Sequence, residues 1–260
     1  MAKTSSGIFP MHEVSTSAKV PAITLGFWII KILATTLGET GGDSVSMSMD
    51  LGYLLATAIF MAIFIVAVAA QIRVRGFHPW LYWLTIVAST TVGTTLADFA
   101  TRSLGIGYAG GSALLLGLLL ACLLAWHRLL GTVSVASVQG AKAELFYWLT
   151  IMFSQTLGTA LGDWTADSAG LGYLGAAMVF GALLLLILAL YLFTAVSRTG
   201  LFWSAFVLTR PLGAVLGDFL DKPVSNGGLE LSRYAASAVL FIAIAALVAL
   251  LPQRPARRAH

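Results

Sequence analysis

The chain has 260 residues, 58% of them hydrophobic and only 10% charged, with 26 glycines and a formal net charge of +4. Soluble domains carry about 25% charged and about 45–50% apolar residues, so this composition excludes a soluble globular protein and points to an integral membrane protein. Apolar stretches use up most of the chain and leave no room for a soluble domain beside them.

Residues 1–20 hold Lys3, His12, Glu13 and Lys19 and lack the short apolar core and small-residue cleavage site of a removable signal, so they are expected to stay on as a cytoplasmic tail. Eight stretches long enough to cross a core of about 30 Å follow. They lie roughly at 21–42, 51–72, 80–101, 107–127, 145–165, 171–196, 200–219 and 234–251. The lone Cys122 sits in the fourth, which excludes an intramolecular disulfide and a cysteine-built metal centre. A linker around Gly131 to Ala143 separates the fourth and fifth stretches, and 252–260 form a basic cytoplasmic tail. The four histidines, His12, His78, His127 and His260, all fall at the cytoplasmic ends, which favours solvated or interfacial roles over a metal cluster.

The odd-numbered stretches repeat one pattern. An aromatic-Trp pair is followed by a glycine ten residues after the Trp and an aspartate fifteen after it: Trp28/Gly38/Asp43, Trp83/Gly93/Asp98, Trp148/Gly158/Asp163 and Trp203/Gly213/Asp218. Each copy plus the apolar stretch after it reads as a two-helix hairpin, giving repeats at about 21–75, 76–130, 141–198 and 199–251. All four enter the membrane in the same direction, so the repeats are parallel rather than inverted. The expected fold is a single all-α transmembrane domain over 21–251. It holds eight helices as four hairpins, in a pseudo-four-fold or two-by-two arrangement, with the motif helices inside.

Charge sets the orientation. Ten of the fifteen basic residues, including Lys19, Arg73, Arg75, Arg128, Lys142 and Arg198, lie at the ends that carry only Glu13 and Glu144. By the positive-inside rule those ends, and both termini, are cytoplasmic. The basic excess is therefore topological and does not suggest nucleic acid, although Arg254, Arg257 and Arg258 could touch anionic headgroups.

Two lanes at four-residue spacing mark the odd stretches. At 6, 10 and 14 residues after the Trp the residues are small, as in Ser154/Gly158/Gly162, which lets helix backbones approach; packing is the main reading for Gly38, Gly93, Gly158 and Gly213. At 7, 11 and 15 they are polar: Thr35/Glu39/Asp43, Thr90/Thr94/Asp98, Gln155/Thr159/Asp163 and Arg210/Ala214/Asp218. Fifteen residues at about 1.5 Å place the aspartates about 22 Å from the aromatic pairs, several ångström inside the far surface. Intramembrane carboxylates are costly and point to function. Hard cations such as calcium, magnesium and manganese take oxygen ligands, and carboxylates held together can exchange a proton for a metal ion. Lys31 and Arg210 break the symmetry and are expected to neutralise part of the acidic layer.

The expectation is a non-enzymatic cation transporter, divalent ions foremost and proton coupling left open. Asp43, Asp98, Asp163, Asp218 and Glu39 are its ion ligands or proton carriers, with the four aspartates as the metal set. Thr35, Thr90, Thr94, Gln155 and Thr159 line the polar lane. No permanently bound cofactor is expected; the divalent cation is the substrate, the lipid bilayer is the partner, and homo-oligomerisation is left open. The alternative is a membrane scaffold or partner-binding protein whose aspartates serve structure alone. No nucleotide-binding loop or His-Glu-x-x-His motif is present.

The repeated segments of the kind Leu157-Gly158-Thr159-Ala160-Leu161-Gly162-Asp163 resemble those of an uncharacterised family of bacterial multi-pass proteins described as membrane-anchored. That resemblance implies a bacterial inner (plasma) membrane location and little about activity. Gly38-Glu39-Thr40-Gly41-Gly42-Asp43-Ser44 is loosely similar to the Glu-x-Gly-Asp-Lys/Arg-Ser/Thr motif of manganese and calcium cation exchangers, with an extra Gly and no basic residue. This second likeness implies a cation role for Glu39 and Asp43.

Overall fold

The computed structural model describes residues 18–256; Lys3, His12, Glu13, Arg257, Arg258 and His260 lie outside them. Among the described residues there are eight long α-helices and no strand. The inner helices are α1 (Leu25–Asp43), α3 (Pro79–Asp98), α5 (Ala141–Asp163) and α7 (Arg198–Asp221). The outer helices are α2 (Gly52–Arg73), α4 (Gly107–Leu130), α6 (Gly172–Phe193) and α8 (Arg233–Leu250). Side-chain caps start three inner helices. Thr24 Oγ1 accepts from Phe27 N at 3.2 Å, His78 Nδ1 from Leu81 N at 3.3 Å ahead of Pro79, and Ser197 Oγ from Gly200 N at 3.3 Å.

The inner helices form a closed ring in which α1 packs on α3, α3 on α5, α5 on α7 and α7 on α1. The outer helices differ from the expected hairpin pairing: α2 packs on α3, α4 on α5, α6 on α7, and α8 returns to α1. Each repeat thus lends its apolar outer helix to the inner helix of the next. In three of the four repeats the turn between the two helices has one form. In the first three repeats the inner helix widens after its aspartate into a π-helical turn, Ser44–Ser48, Phe99–Ser103 and Trp164–Ser168. A glycine with positive φ then opens the outer helix: Gly52 at 72°, Gly107 at 73° and Gly172 at 64°. The fourth repeat replaces this with Val224–Asn226 and a segment that folds back on α7 through Leu229 N to Phe219 O at 2.8 Å and Leu231 N to Leu220 O at 2.9 Å.

Five helices, α2, α4, α6, α7 and α8, are long and apolar enough to cross a membrane, fewer than the eight stretches read from the sequence. The reason lies in the polar lane: α1 carries Lys31, Glu39 and Asp43 within 19 residues, and its burial comes from neighbouring helices rather than from its own composition.

The aromatic-Trp pairs interlock around the ring. The aromatic residue of each repeat meets the Trp of the next, Phe27 with Trp83 at 5.4 Å between ring centres, Tyr82 with Trp148 at 5.8 Å, Tyr147 with Trp203 at 6.2 Å and Phe202 with Trp28 at 5.8 Å. Tyr82 and Tyr147 also share a hydroxyl hydrogen bond of 2.6 Å. Trp83, Trp148 and Trp203 are buried, so the pairs form an internal girdle.

The two ends of the described segment, around Pro21 and Pro255, meet at this Trp end. Pro21 bridges Pro255, with Ala22 N donating to Arg254 O at 2.7 Å and Ala256 N to Val20 O at 2.8 Å. Lys19 Nζ binds the Gln71 and Ile72 carbonyls at 2.9 and 3.2 Å and the Glu144 carboxylate at 2.7 Å, joining α2 to α5. Burial raises the pKa of Glu144 while Lys19 pulls it back.

Candidate functional site

Side chains at fours along each inner helix stack into layers within the ring. Counted from the Trp, position minus 1 is the aromatic girdle and plus 3 holds Lys31, Ile86, Ile151 and Phe206. Plus 7 holds Thr35, Thr90, Gln155 and Arg210; plus 11 holds Glu39, Thr94, Thr159 and Ala214; plus 15 holds the four aspartates. Every one of these residues is buried.

The glycines make this stacking possible. A Cβ on Gly38 would lie 2.5 Å from Thr90 Oγ1, and one on Gly93 would lie 2.8 Å from the Gln155 carbonyl carbon. A Cβ on Gly158 would strike Arg210, and one on Gly213 would strike Thr35. Each motif glycine therefore receives the plus 7 residue of the following repeat, and the rule closes from the fourth repeat to the first. Residues at plus 7 cannot leave the axis without opening a seam.

At the centre, Arg210 reaches across the ring. Its Nη2 donates to Glu39 Oε2 at 2.9 Å, Thr94 Oγ1 at 2.6 Å and Thr159 Oγ1 at 2.5 Å, one group from each of the other three repeats. Thr94 also donates to the Gly38 carbonyl at 3.0 Å. This buried guanidinium-carboxylate pair ties the fourth repeat to the first inside the ring.

The aspartates do not form one free acidic layer; two bases divide them into pairs. Arg102 contacts Asp98 at 3.0 Å and Asp163 at 3.5 Å. Lys222 contacts Asp218 at 3.1 Å and, by a shorter ion pair, Asp43. Each base binds the aspartate four residues before it and the aspartate of the next repeat. Burial opposes the charge on Lys222, but Asp218, Asp43 and Asp221 outweigh it and raise its pKa, so it stays an ammonium. Arg233 joins the second group, with Asp221 at 2.9 Å and Asp43 at 3.9 Å.

Glu39, Asp43 and Asp218 each offer an oxygen within 4.8 Å of the others, a set suited to a hard cation; Asp98 and Asp163 lie outside it. Beyond the aspartates a vestibule of about 500 Å³ opens between Arg102, Tyr108, Asp167, Tyr173, Lys222 and Arg233. Arg102 and Lys222 were not among the residues singled out in the sequence, though a signal was there. Both stand at plus 19, where the other two repeats carry Met47 and Asp167.

No curated protein and no solved structure matches the chain. The likeness to cation exchangers at Glu39–Ser44 finds no support in these comparisons. Residues 26–77, 81–132, 146–197 and 201–252 each match the family described as Repeat of Unknown Function (DUF347). Four matched copies account for nearly the whole ring, and the chain belongs to that repeat family.

Proposed function

We propose that the protein is a multi-pass cation transporter of the bacterial inner membrane, with its Trp end and both termini cytoplasmic. The outer helices would face lipid, and the polar axis would handle the ion without permanent cofactor or enzymatic chemistry. The observation that carries this reading is the buried oxygen set of Glu39, Asp43 and Asp218, bridged by the Lys222 ammonium at the floor of the vestibule. A lysine bridging two carboxylates stands in for a cation. An arriving ion, divalent foremost, would take the oxygens while Lys222, 12% exposed at its side chain, turns into the vestibule. Glu39 belongs both to that site and to the Arg210 pair on its Trp side, so passage would require this pair to rearrange, a carrier rather than an open channel. Proton coupling belongs to the same proposal through exchange at Glu39.

The test is uptake of manganese, calcium and magnesium into proteoliposomes. Flux of one ion that disappears in Asp43→Asn/Asp218→Asn, with the variant still folded, supports the carrier. A folded wild-type protein that moves none of these ions and gains no thermal stability from them would sink it. The scaffold reading draws support from one observation, that all four aspartates are already ion-paired. It requires the same Asp→Asn variants to lose folding without any loss of ion response.

A further inference from the structure

The lower half of the axis holds more basic groups than acidic ones. Between the aromatic girdle and the aspartates the buried ionisable groups are Lys31, Arg210 and Glu39, two cations against one acid. Arg210 uses Nη2 for Glu39 and the two threonines, while its Nε and Nη1 have no hydrogen-bond partner. Lys31 Nζ has none either; it lies 4.2 Å over the Phe206 ring, one helical turn before Arg210 on α7. The amide of Gln155 is unpartnered at both Nε2 and Oε1, and Thr90 Oγ1 is unpartnered beside it in the same layer. A buried ammonium without a counter-charge is among the costliest arrangements in a protein interior.

These donors come from three repeats and stand in adjacent buried layers, about 6 Å apart along the helices for four residues. We infer that Lys31, Arg210 and Gln155 hold a small monovalent anion of halide size at the middle of the axis. One negative charge cancels the excess, and the anion accepts from the free Lys31, Arg210 Nε/Nη1 and Gln155 Nε2 groups. The helices approach closely around this layer, at Gly93, Gly158 and Gly213, which favours a small anion over a large oxyanion. The site shares Arg210 with the Arg210–Glu39 pair but none of the carboxylates of the cation set, and it does not depend on the cation reading.

The experiment is thermal unfolding of the purified full-length protein in lipid nanodiscs, in sodium chloride against sodium gluconate at equal ionic strength and without divalent cations. The expected result is an apparent Tm about 3 °C higher in saturating chloride, as for any ligand that binds the native state. Bromide should substitute, and the shift should vanish in Lys31→Met. Equal Tm in the two salts, or a chloride shift undiminished in Lys31→Met, overturns the proposal; a neutral lysine would give the first result with Lys31→Met more stable than wild type. If Lys31→Met does not fold, Gln155→Leu takes its place and must weaken chloride's effect at least several-fold. With divalent ions absent throughout, failure here leaves the cation proposal untouched.

Discussion

Two of the four seams in the ring carry a bridging base, and they are not alike. Between the second and third repeats Arg102 links Asp98 to Asp163 with its side chain 34% exposed, and it donates to the Tyr53 hydroxyl at 3.4 Å. Between the fourth and first repeats Lys222 links Asp218 to Asp43 at 12% exposure, with Asp221 and Arg233 alongside and Glu39 one layer below. A guanidinium is a planar fork fitted to hold two carboxylates together, whereas an ammonium is a compact, strongly hydrated point charge that resembles a small cation. Both seams come from the same repeat; the first is built as a clasp, and under the proposed function the second is the place where a cation would be exchanged.

Arg210 offers the hardest test of that inequality, because its carboxylate partner Glu39 belongs only to the Lys222 side. Arg210→Met leaves Glu39 buried and unpaired, and unfolding in mixed micelles should show a loss of about 3–5 kcal/mol. Adding Glu39→Gln should restore most of it. No recovery would mean that the two halves share the damage equally and that the distinction between seams is wrong.

The glycines test whether both seams are closed to the same degree. Gly93→Ala presses a methyl on the Gln155 backbone at the Arg102 seam, and Gly213→Ala presses one on Thr35 at the Lys222 seam. Each should lower stability by about 1–3 kcal/mol. Gly117→Ala on outer helix α4, where a Cβ meets nothing within 4 Å, should be neutral or stabilise by about 0.5–1 kcal/mol. A mild Gly213→Ala beside a severe Gly93→Ala, measured as melting temperatures, would mark the Lys222 seam as the one able to open.

Much of this architecture is legible in the sequence, because Trp, Gly and Asp at fixed spacing count the repeats, and the lanes at fours separate close-packed residues from polar ones. The hand-over of outer helices is not legible. Nothing in the apolar composition of Tyr53 to Ala70 says whether it covers α1 or α3; the packing on α3 follows a π-helical turn at Ser44–Ser48 and Gly52, neither of which announces itself in the sequence. The pairing of the aspartates was half visible. Bases at plus 19 in alternate repeats announce Arg102–Asp98 and Lys222–Asp218 as neighbours on one helix, yet the second bond of each base depends on ring closure. For the same reason Arg210 reads as a symmetry-breaker in the chain, and only the closed ring gives it partners on three other helices.

The bridging bases themselves come next in size. Lys222→Met removes the stand-in cation and leaves Asp43, Asp218 and Glu39 together, so the ion-dependent rise in melting temperature should strengthen, with ion affinity increasing about tenfold, or about 1.4 kcal/mol. Arg102→Met should lower stability without creating an ion response, since Asp98 and Asp163 lack a third carboxylate in reach. An equal ion response in both variants, read in the same titration, would erase the distinction.

The smallest effect is expected at the Trp end of the Arg102 seam. Only there do hydroxyls meet, Tyr82 with Tyr147 at 2.6 Å; the Lys222 seam has Phe202 and Phe27 in the corresponding places, 6.4 Å between ring centres. Tyr82→Phe leaves the girdle packing intact and removes one buried hydrogen bond, a loss of about 1 kcal/mol, somewhat more if the Tyr147 hydroxyl is left without a partner. Tyr82→Phe/Tyr147→Phe removes both hydroxyls and should recover part of that loss, making the two seams alike at this end. If the Arg102 seam is the permanent clasp, the double variant should raise the rate of proteolysis at the 131–143 linker, which joins the repeats on either side of it. An unchanged rate would place the whole difference between the seams at the aspartate end.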